Sequence, residues 1–307
     1  MDPTNSRTQS HLVWQSKLVL LLVVPYAAID ALLQAHFFAQ KLPAVAIWTL
    51  GLSALLGLVV LKLRAATLAG AATGVILTAS LMFSTVTFPY QPWNTALIPM
   101  LAVSLLAYFA TKLDRARKER LGTAEARHGR AASQVAANLG VAAVLLSQNV
   151  QSWLIDSHWF SPGGLAPIPI FAVGLASLAE AAADTASSEI GQVLGGRPRM
   201  ITTLSTVEPG TDGAISFAGT LAGILAGVIV ALAGTLALRI DPSLFDLELF
   251  WISSAAAVFG LLFDSLLGAT LERRGWLNND AVNFLSTASA AAFALAVLAI
   301  IPHPGVG

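Results

Sequence analysis

The chain has no cysteine. Neither a disulfide framework nor a thiolate metal site is open to it, and the redox compartment cannot be read from cysteine usage. Charge is scarce as well: Asp, Glu, Lys and Arg make up 11% of the 307 residues, against about 25% in soluble domains. Histidine is limited to five residues. What fills the chain instead is apolar, 56% of residues with a mean hydropathy of +0.73. That composition excludes an ordinary soluble domain and defines an all-α polytopic membrane helical bundle, with the bilayer as its first partner.

The opening MDPTNSRTQSHLVWQSK is polar and too long for the n-region of a signal peptide. No small-residue cleavage site follows the first apolar run, which is therefore read as a retained span. Crossing a hydrocarbon core of about 30 Å takes roughly 20 helical residues. Segments of that kind fall near 18–40, 43–63, 66–88, 94–111, 132–155, 166–190, 214–238, 248–271 and 281–301, which predicts nine spans. Pro43, Pro89, Pro92, Pro162, Pro167 and Pro242 sit at the proposed boundaries, where a missing N–H costs least. The chain then divides into a polar N-terminus (1–17), N-terminal membrane helices (18–111), a basic loop (112–131), a polar-motif bundle (132–301) and a tail (302–307).

Short cytoplasmic loops collect Lys and Arg. With the N-terminus inside, that side holds Arg7 and Lys17, then Lys62 and Arg64, and then Lys112, Arg115, Arg117, Lys118, Arg120, Arg127 and Arg130. It also holds Arg197 and Arg199, then Arg273 and Arg274, leaving only Lys41 and Arg239 of the 17 basic residues outside. The expected topology is N-terminus in and C-terminus out, in what reads as a prokaryotic plasma (inner) membrane. The 112–130 run has the ordinary role of fixing topology and meeting anionic headgroups.

This orientation brings acidic residues from several segments to one face. The stretch AEAAADTASSEIG (179–191) carries Glu180, Asp184 and Glu189, and Asp212, Asp264 and Asp280 follow at the same end. A charge in hydrocarbon costs at least about 2.5–3.5 kcal/mol, so such residues face a partner, a cavity or an ion. Glu180 and Asp184 stack one turn apart beside Ser187, Ser188 and Gly191, and adjacent carboxylates need a proton or a cation between them. An all-oxygen donor set suits Mg²⁺ rather than Zn²⁺. The metal set expected is Asp184, Glu189, Asp212, Asp264 and Asp280, with Asp184, Asp212 and Asp264 catalytic. The plainer readings are a protonated structural carboxyl at Glu180 and an arginine pair at Asp184.

Anion-binding candidates surround these acids. Gly210, Thr211, Asp212 and Gly213 precede an apolar helix, where free N–H groups and the helix dipole favour phosphate. Thr211 or Asp212 as a simple N-cap is the alternative. Arg197 and Arg199 offer forked donors, and Arg130 and Asn138 share a face at the start of the fifth span. Gly260, Asp264 and Gly268 form another small-and-acidic face, followed by Asn278, Asn279, Asp280 and Asn283. The order Asp184 then Asp212, and Asp264 then Asp280, suggests two parallel helix–loop–helix units. Gly219, Gly223 and Gly227 recur at i+4 as a close-packing stripe. Asp30, with Gln34 one turn on, stands apart in the first span, either hydrogen-bonded internally or at a substrate headgroup.

The segments QVAANLG, ADTASSEIG, RPRMITT, PGTDGAISFAGTLAG, DSLLGATLE and NNDAVNFLS together resemble the membrane family that contains transmembrane protein 19 and the plant chloroplast phytyl-phosphate kinase of tocopherol synthesis. The likeness covers roughly residues 15 to 300. It implies transfer of the γ-phosphoryl group of CTP, or of another nucleoside triphosphate, to an isoprenyl monophosphate lipid, with Mg²⁺ as cofactor. Its polar motif positions map onto Asn138, Asp184, Glu189, Arg199, Thr211, Asp212, Asp264, Asn279, Asp280 and Asn283. A cytidylyltransferase that forms a CDP-lipid, or a prenol kinase, would use much the same groups. A lipid or small-molecule transporter is the rival of another class, and it would spread ionisable residues over several depths. A homodimer is compatible with this reading, and nucleic acid is not an expected partner.

Overall fold

The structure is a computed structural model that describes residues 12–124, 128–156, 167–238 and 246–300. Arg7, Glu125, Arg127, Pro162, Arg239, Pro242, most of the N-terminal segment and the 302–307 tail lie outside the described residues. Helices stand at all nine predicted segments. They are α1 (Val13–Lys41), α2 (Pro43–Lys62), α3 (Leu68–Ser84), α4 (Leu97–Lys112) with a short α5 (Arg115–Leu121), and α6 (Ala132–Leu145) with α7 (Gln148–Asp156). The second half holds α8 (Pro167–Leu194), α9 (Phe217–Ala237), α10 (Leu247–Leu267) and α11 (Asn279–Ile300). Between α8 and α9 a two-residue strand β1 (Arg199–Met200) pairs antiparallel with β2 (Ala214–Ile215).

The chemistry of the ends explains the boundaries. Thr67, Ser216, Asp246 and Asn278 each accept a first-turn N–H at α3, α9, α10 and α11, supplying a partner that the helix itself lacks. Pro43 occupies the first turn of α2, where its missing N–H is harmless. Among the described residues six helices are long and apolar enough to cross a membrane, and α4 with α5, bent by 65°, makes a seventh if taken as one span. α3 and α6 are shorter apolar helices. The predicted 132–155 span breaks between α6 and α7, where side chains take over the backbone pairing. Ser147 Oγ donates to Val144 O at 2.7 Å, and Gln151 Nε2 donates to the carbonyls of Leu146 and Ser84.

α8 is the axis of the bundle, packed by α4, α6, α9, α10 and α11. Residues 170–183 are buried without interruption, and accessibility returns only at Asp184. Small side chains make this possible. A Cβ on Gly219 or Gly223 of α9 would lie 2.7 or 2.8 Å from carbonyl oxygens of α8, those of Ser187 and Ala183. In lipid, where apolar burial gives little drive between helices, such close contact supplies the packing energy.

One end of the bundle collects the basic loops. Arg130 donates its N–H to Ala65 O and accepts from Thr67 N, both at 3.0 Å. This approach requires Gly129 at φ +80, because a Cβ there would lie 2.3 Å from the Ala65 carbonyl carbon. Gln15 Nε2 donates to Trp276 O, and Asn278 Nδ2 donates to Leu12 O and Ser16 Oγ. Thr123 packs at Gly210, and Gly213 packs against Ala269. The five loops that the Lys and Arg count puts on one side are thus a single connected layer.

Candidate functional site

Asp184 is the first residue of α8 to emerge from the core, and it emerges into a polar cavity at the basic end. The cavity is walled by α6, α8, the 209–213 turn, α10 and α11, and encloses about 1230 Å³ including its open mouth. The carboxyl groups of Asp184 and Asp264 meet within hydrogen-bonding reach across it. Carboxylates in such contact hold a proton or a cation between them. Arg130 stands beside Asp184 and donates to Thr185 Oγ1 at 3.3 Å.

Asp212, Gly210, Thr211, Gly213, Asn138, Asn279 and Asn283 also line the cavity. Asn138 is fixed by donating from Nδ2 to Gln134 O at 2.7 Å. Asp212 has Arg273 and the Glu272 carboxylate as charged neighbours. Burial holds the Asp212 carboxyl above the usual aspartate range, with the Arg273 guanidinium opposing the shift.

Other predicted residues are placed differently. Arg197 and Arg199 are exposed and do not line the cavity. In β1 the alternation of strand side chains buries Met200 and leaves Arg199 outside. Asp280 is buried in the first turn of α11, where a negative charge suits the helix dipole, and is not a lining residue. Glu189 lines the cavity, but its Oε2 lies 2.6 Å from Lys118 Nζ and its Oε1 accepts from Thr111 Oγ1 at 3.1 Å. The 210–213 turn does not open α9. A strand and the Ser216 cap intervene, so the helix dipole does not bear on it. Gly213 instead has φ +75 and a contact that excludes any side chain, with Ala269 N 2.2 Å from its would-be Cβ.

Two residues were missed by the sequence reading. Glu272 lines the cavity beside Asp212 and Asp184. It ends a π-helical turn, Gly268–Glu272, marked by the i+5 bond from Arg273 N to Gly268 O, and such turns recur at functional sites. The signal was available, since Glu272 continues the 260, 264, 268 series by one more step of four. Lys118, in the basic run, is fully buried and donates to Ala110 O, Thr111 O and Glu189. Periodicity gives no sign of that.

Glu180 lies one turn deeper, with Cγ over Gly260. Ser286 stands beside it but donates its Oγ to Asn283 O, and neither carboxylate oxygen has a hydrogen bond of good geometry among the described residues. Asp264 Oδ1 and Gln192 Oε1 are likewise buried without a partner. These orphaned oxygens fit a hard cation. Among the described residues, however, no three carboxylates or histidines stand close enough to enclose one. The arrangement therefore fits Mg²⁺, which is held by one or two carboxylates plus water and substrate phosphate rather than by an all-protein cage.

Fold and cavity together define an all-α polytopic membrane protein with a carboxylate-lined cavity at its basic end. The chain belongs to the family described as integral membrane protein DUF92, whose model matches residues 51–291. That stretch contains every residue lining the cavity. An uncharacterised membrane protein of Methanocaldococcus jannaschii is 43% identical over 37% of this chain and 45% of its own length. One from Synechocystis is 30% identical over 63% of this chain and 72% of its own. The chloroplastic protein VTE6 of Arabidopsis thaliana is 32% identical over 59% of this chain, and the match spans about half of that relative, 53%. No solved structure matches the chain.

Proposed function

We propose that the protein is a membrane phosphotransferase that moves the γ-phosphoryl group of CTP, or of another nucleoside triphosphate, to a prenyl monophosphate, giving the diphosphate. The observation that carries this reading is the contact of Asp184 with Asp264 inside a cavity that also holds Asp212, Glu272, Arg130 and three asparagines. Carboxylates alone would repel two phosphorylated ligands. With Mg²⁺ between, the same carboxylates become the means of gathering them. The family resemblance to the phytyl-phosphate kinase of plants supports the choice of acceptor.

Phosphoryl transfer asks mainly for positioning and charge stabilisation. An oxygen of the lipid phosphate attacks the γ-phosphorus, the bond to the β-phosphate oxygen breaks, and the nucleoside diphosphate leaves. When bound, Mg²⁺ neutralises phosphate charge. Asp184 and Asp264 are the residues that would hold it, while Asp212 and Glu272 line the same cavity and would act on it through water. Arg130 would orient the lipid phosphate, and Asn138, Asn279 and Asn283 would present amides to phosphate or ribose oxygens. A phosphate nucleophile is already ionised and requires no general base. The basic end is proposed to face the cytoplasm, where the nucleotide is, with the protein in a prokaryotic inner membrane.

The test uses purified protein in lipid nanodiscs with CTP labelled at the α or the γ phosphate, and prenyl alcohols and monophosphates with and without Mg²⁺. γ-Label in a lipid diphosphate is expected. α-Label in the lipid would replace the kinase by a CDP-lipid-forming cytidylyltransferase, and no labelled lipid under any condition would remove the enzyme reading in favour of transport.

A further inference from the structure

A second cavity opens beside the first, among α2, α3, α4 and α6, and encloses about 990 Å³ including its mouth. Its walls are apolar, with Leu56 and Val60 from α2, Met100 and Val103 from α4, and Leu139 from α6. Its mouth is cationic. Arg64, Lys112 and Arg130 line the groove, with the Lys112 ammonium 5.6 Å over the Tyr108 ring.

Two residues, Arg130 and Asn138, line both cavities. The backbone of Arg130 is clamped between Ala65 and Thr67 while its guanidinium reaches Thr185 and stands beside Asp184. The junction is therefore rigid, cationic and directly adjacent to the carboxylates. The groove is also held open along α3. At Gly74, the nearest atom that a Cβ would meet is Val135 Cγ1 at 3.9 Å, so a side chain there would enter free space.

We propose that this groove binds the hydrocarbon tail of the lipid acceptor, a single-chain prenyl monophosphate whose phosphate rests at Arg130 and Asn138 where the cavities join. The proposal rests on the phosphotransfer reading of the polar cavity. Charge complementarity commits it to this occupant, since an apolar chain ending in one anionic group matches an apolar groove with a cationic mouth. Continuity adds to this, because the head of such a lipid would arrive at Asp184 while its tail stayed among α2, α3, α4 and α6. Acceptor and nucleotide then enter separately, the lipid through the groove and the nucleotide through the water-facing mouth at the 209–213 turn.

The experiment uses the full chain in nanodiscs and a C20 prenyl monophosphate carrying a diazirine at the tail end. Photolabelling followed by peptide mapping should place adducts on groove residues of α3, α4 and α6. Gly74→Leu, which fills the groove at a helix position that tolerates leucine, should lower that labelling at least fivefold. In turnover the same variant should lower the ratio of C20 to C5 prenyl monophosphate transfer at least tenfold. Adducts confined to the outer faces of α9, α10 and α11, or labelling unmoved by Gly74→Leu, would overturn the groove assignment even if transfer itself is observed. Labelling in the groove without any transfer would strike the phosphotransfer reading and leave the tail site standing.

Discussion

Asp30 and Asp264 are both carboxylates inside the helical bundle, yet their surroundings differ in kind. Asp30 of α1 accepts from Ser80 Oγ at 2.6 Å and from Ser84 Oγ at 3.5 Å, both on α3, and Asp30 itself is buried. Its polar demand is met by neighbouring hydroxyls, which is the internal hydrogen bonding that the sequence allowed. Asp264 faces another carboxyl, has one oxygen without a partner among the described residues, and opens onto a cavity. A buried group left unsatisfied is costly, and a fold retains it where a ligand completes it. The contrast separates an acid satisfied inside the fold, midway along α1, from one left open to a ligand near the basic end of α10.

That contrast can be broken at several strengths. Asp184→Ala and Asp264→Ala should each lower turnover by about 10³ or more while leaving folded protein by size exclusion and circular dichroism, the scale expected when preorganised charge stabilisation is lost. A normal rate in either variant removes that residue from the site. Lys118→Met strands the Glu189 carboxylate, at an expected loss of roughly 3–5 kcal/mol in stability. The double change with Glu189→Gln should recover most of it in thermal melts, whereas a ligand role for Glu189 predicts no recovery of activity. Glu272→Gln should lower turnover about 10- to 100-fold and raise the Mg²⁺ concentration needed for half-maximal rate. Asp30→Asn keeps an acceptor for Ser80 and should cost about 1 kcal/mol of stability with little change in turnover. Smallest of all, Arg197→Ala and Arg199→Ala should alter turnover less than about threefold, as exposed side chains outside the cavity do.

Much of this was legible in the sequence because regular helices turn spacing into place. Pro43 marks the start of α2 in sequence and fold alike, whereas the cap of α9, expected at Thr211 or Asp212, is Ser216. The series 260, 264, 268 and the face holding 184, 187, 188 and 191 were readable because 3.6 residues per turn puts them on one side. Loops carry no such period. Whether Arg199 or Met200 faces inward depends on how β1 pairs with β2, and that register is set by tertiary contact. The two parallel units read from the order of aspartates end differently, with Asp212 in the cavity and Asp280 outside it. Glu272 continues the 260, 264, 268 series, but its place in the cavity depends on the π-helical turn Gly268–Glu272, which spacing does not reveal. Lys118 was hidden among six other basic residues of the same run, and only the bend between α4 and α5 takes it inside.

If Asp184 and Asp264 face each other to hold a metal–phosphate ligand, as proposed, both are needed for the metal to bind. Mn²⁺ can stand in for Mg²⁺, and its electron paramagnetic resonance signal is quenched on binding. Titrating it into nanodisc-embedded protein with a non-hydrolysable CTP analogue should reveal bound metal in the native chain. The bound fraction should fall at least tenfold in both Asp184→Asn and Asp264→Asn. Equal Mn²⁺ binding in all three proteins would overturn the metal role and leave the pair as a proton-sharing structural contact.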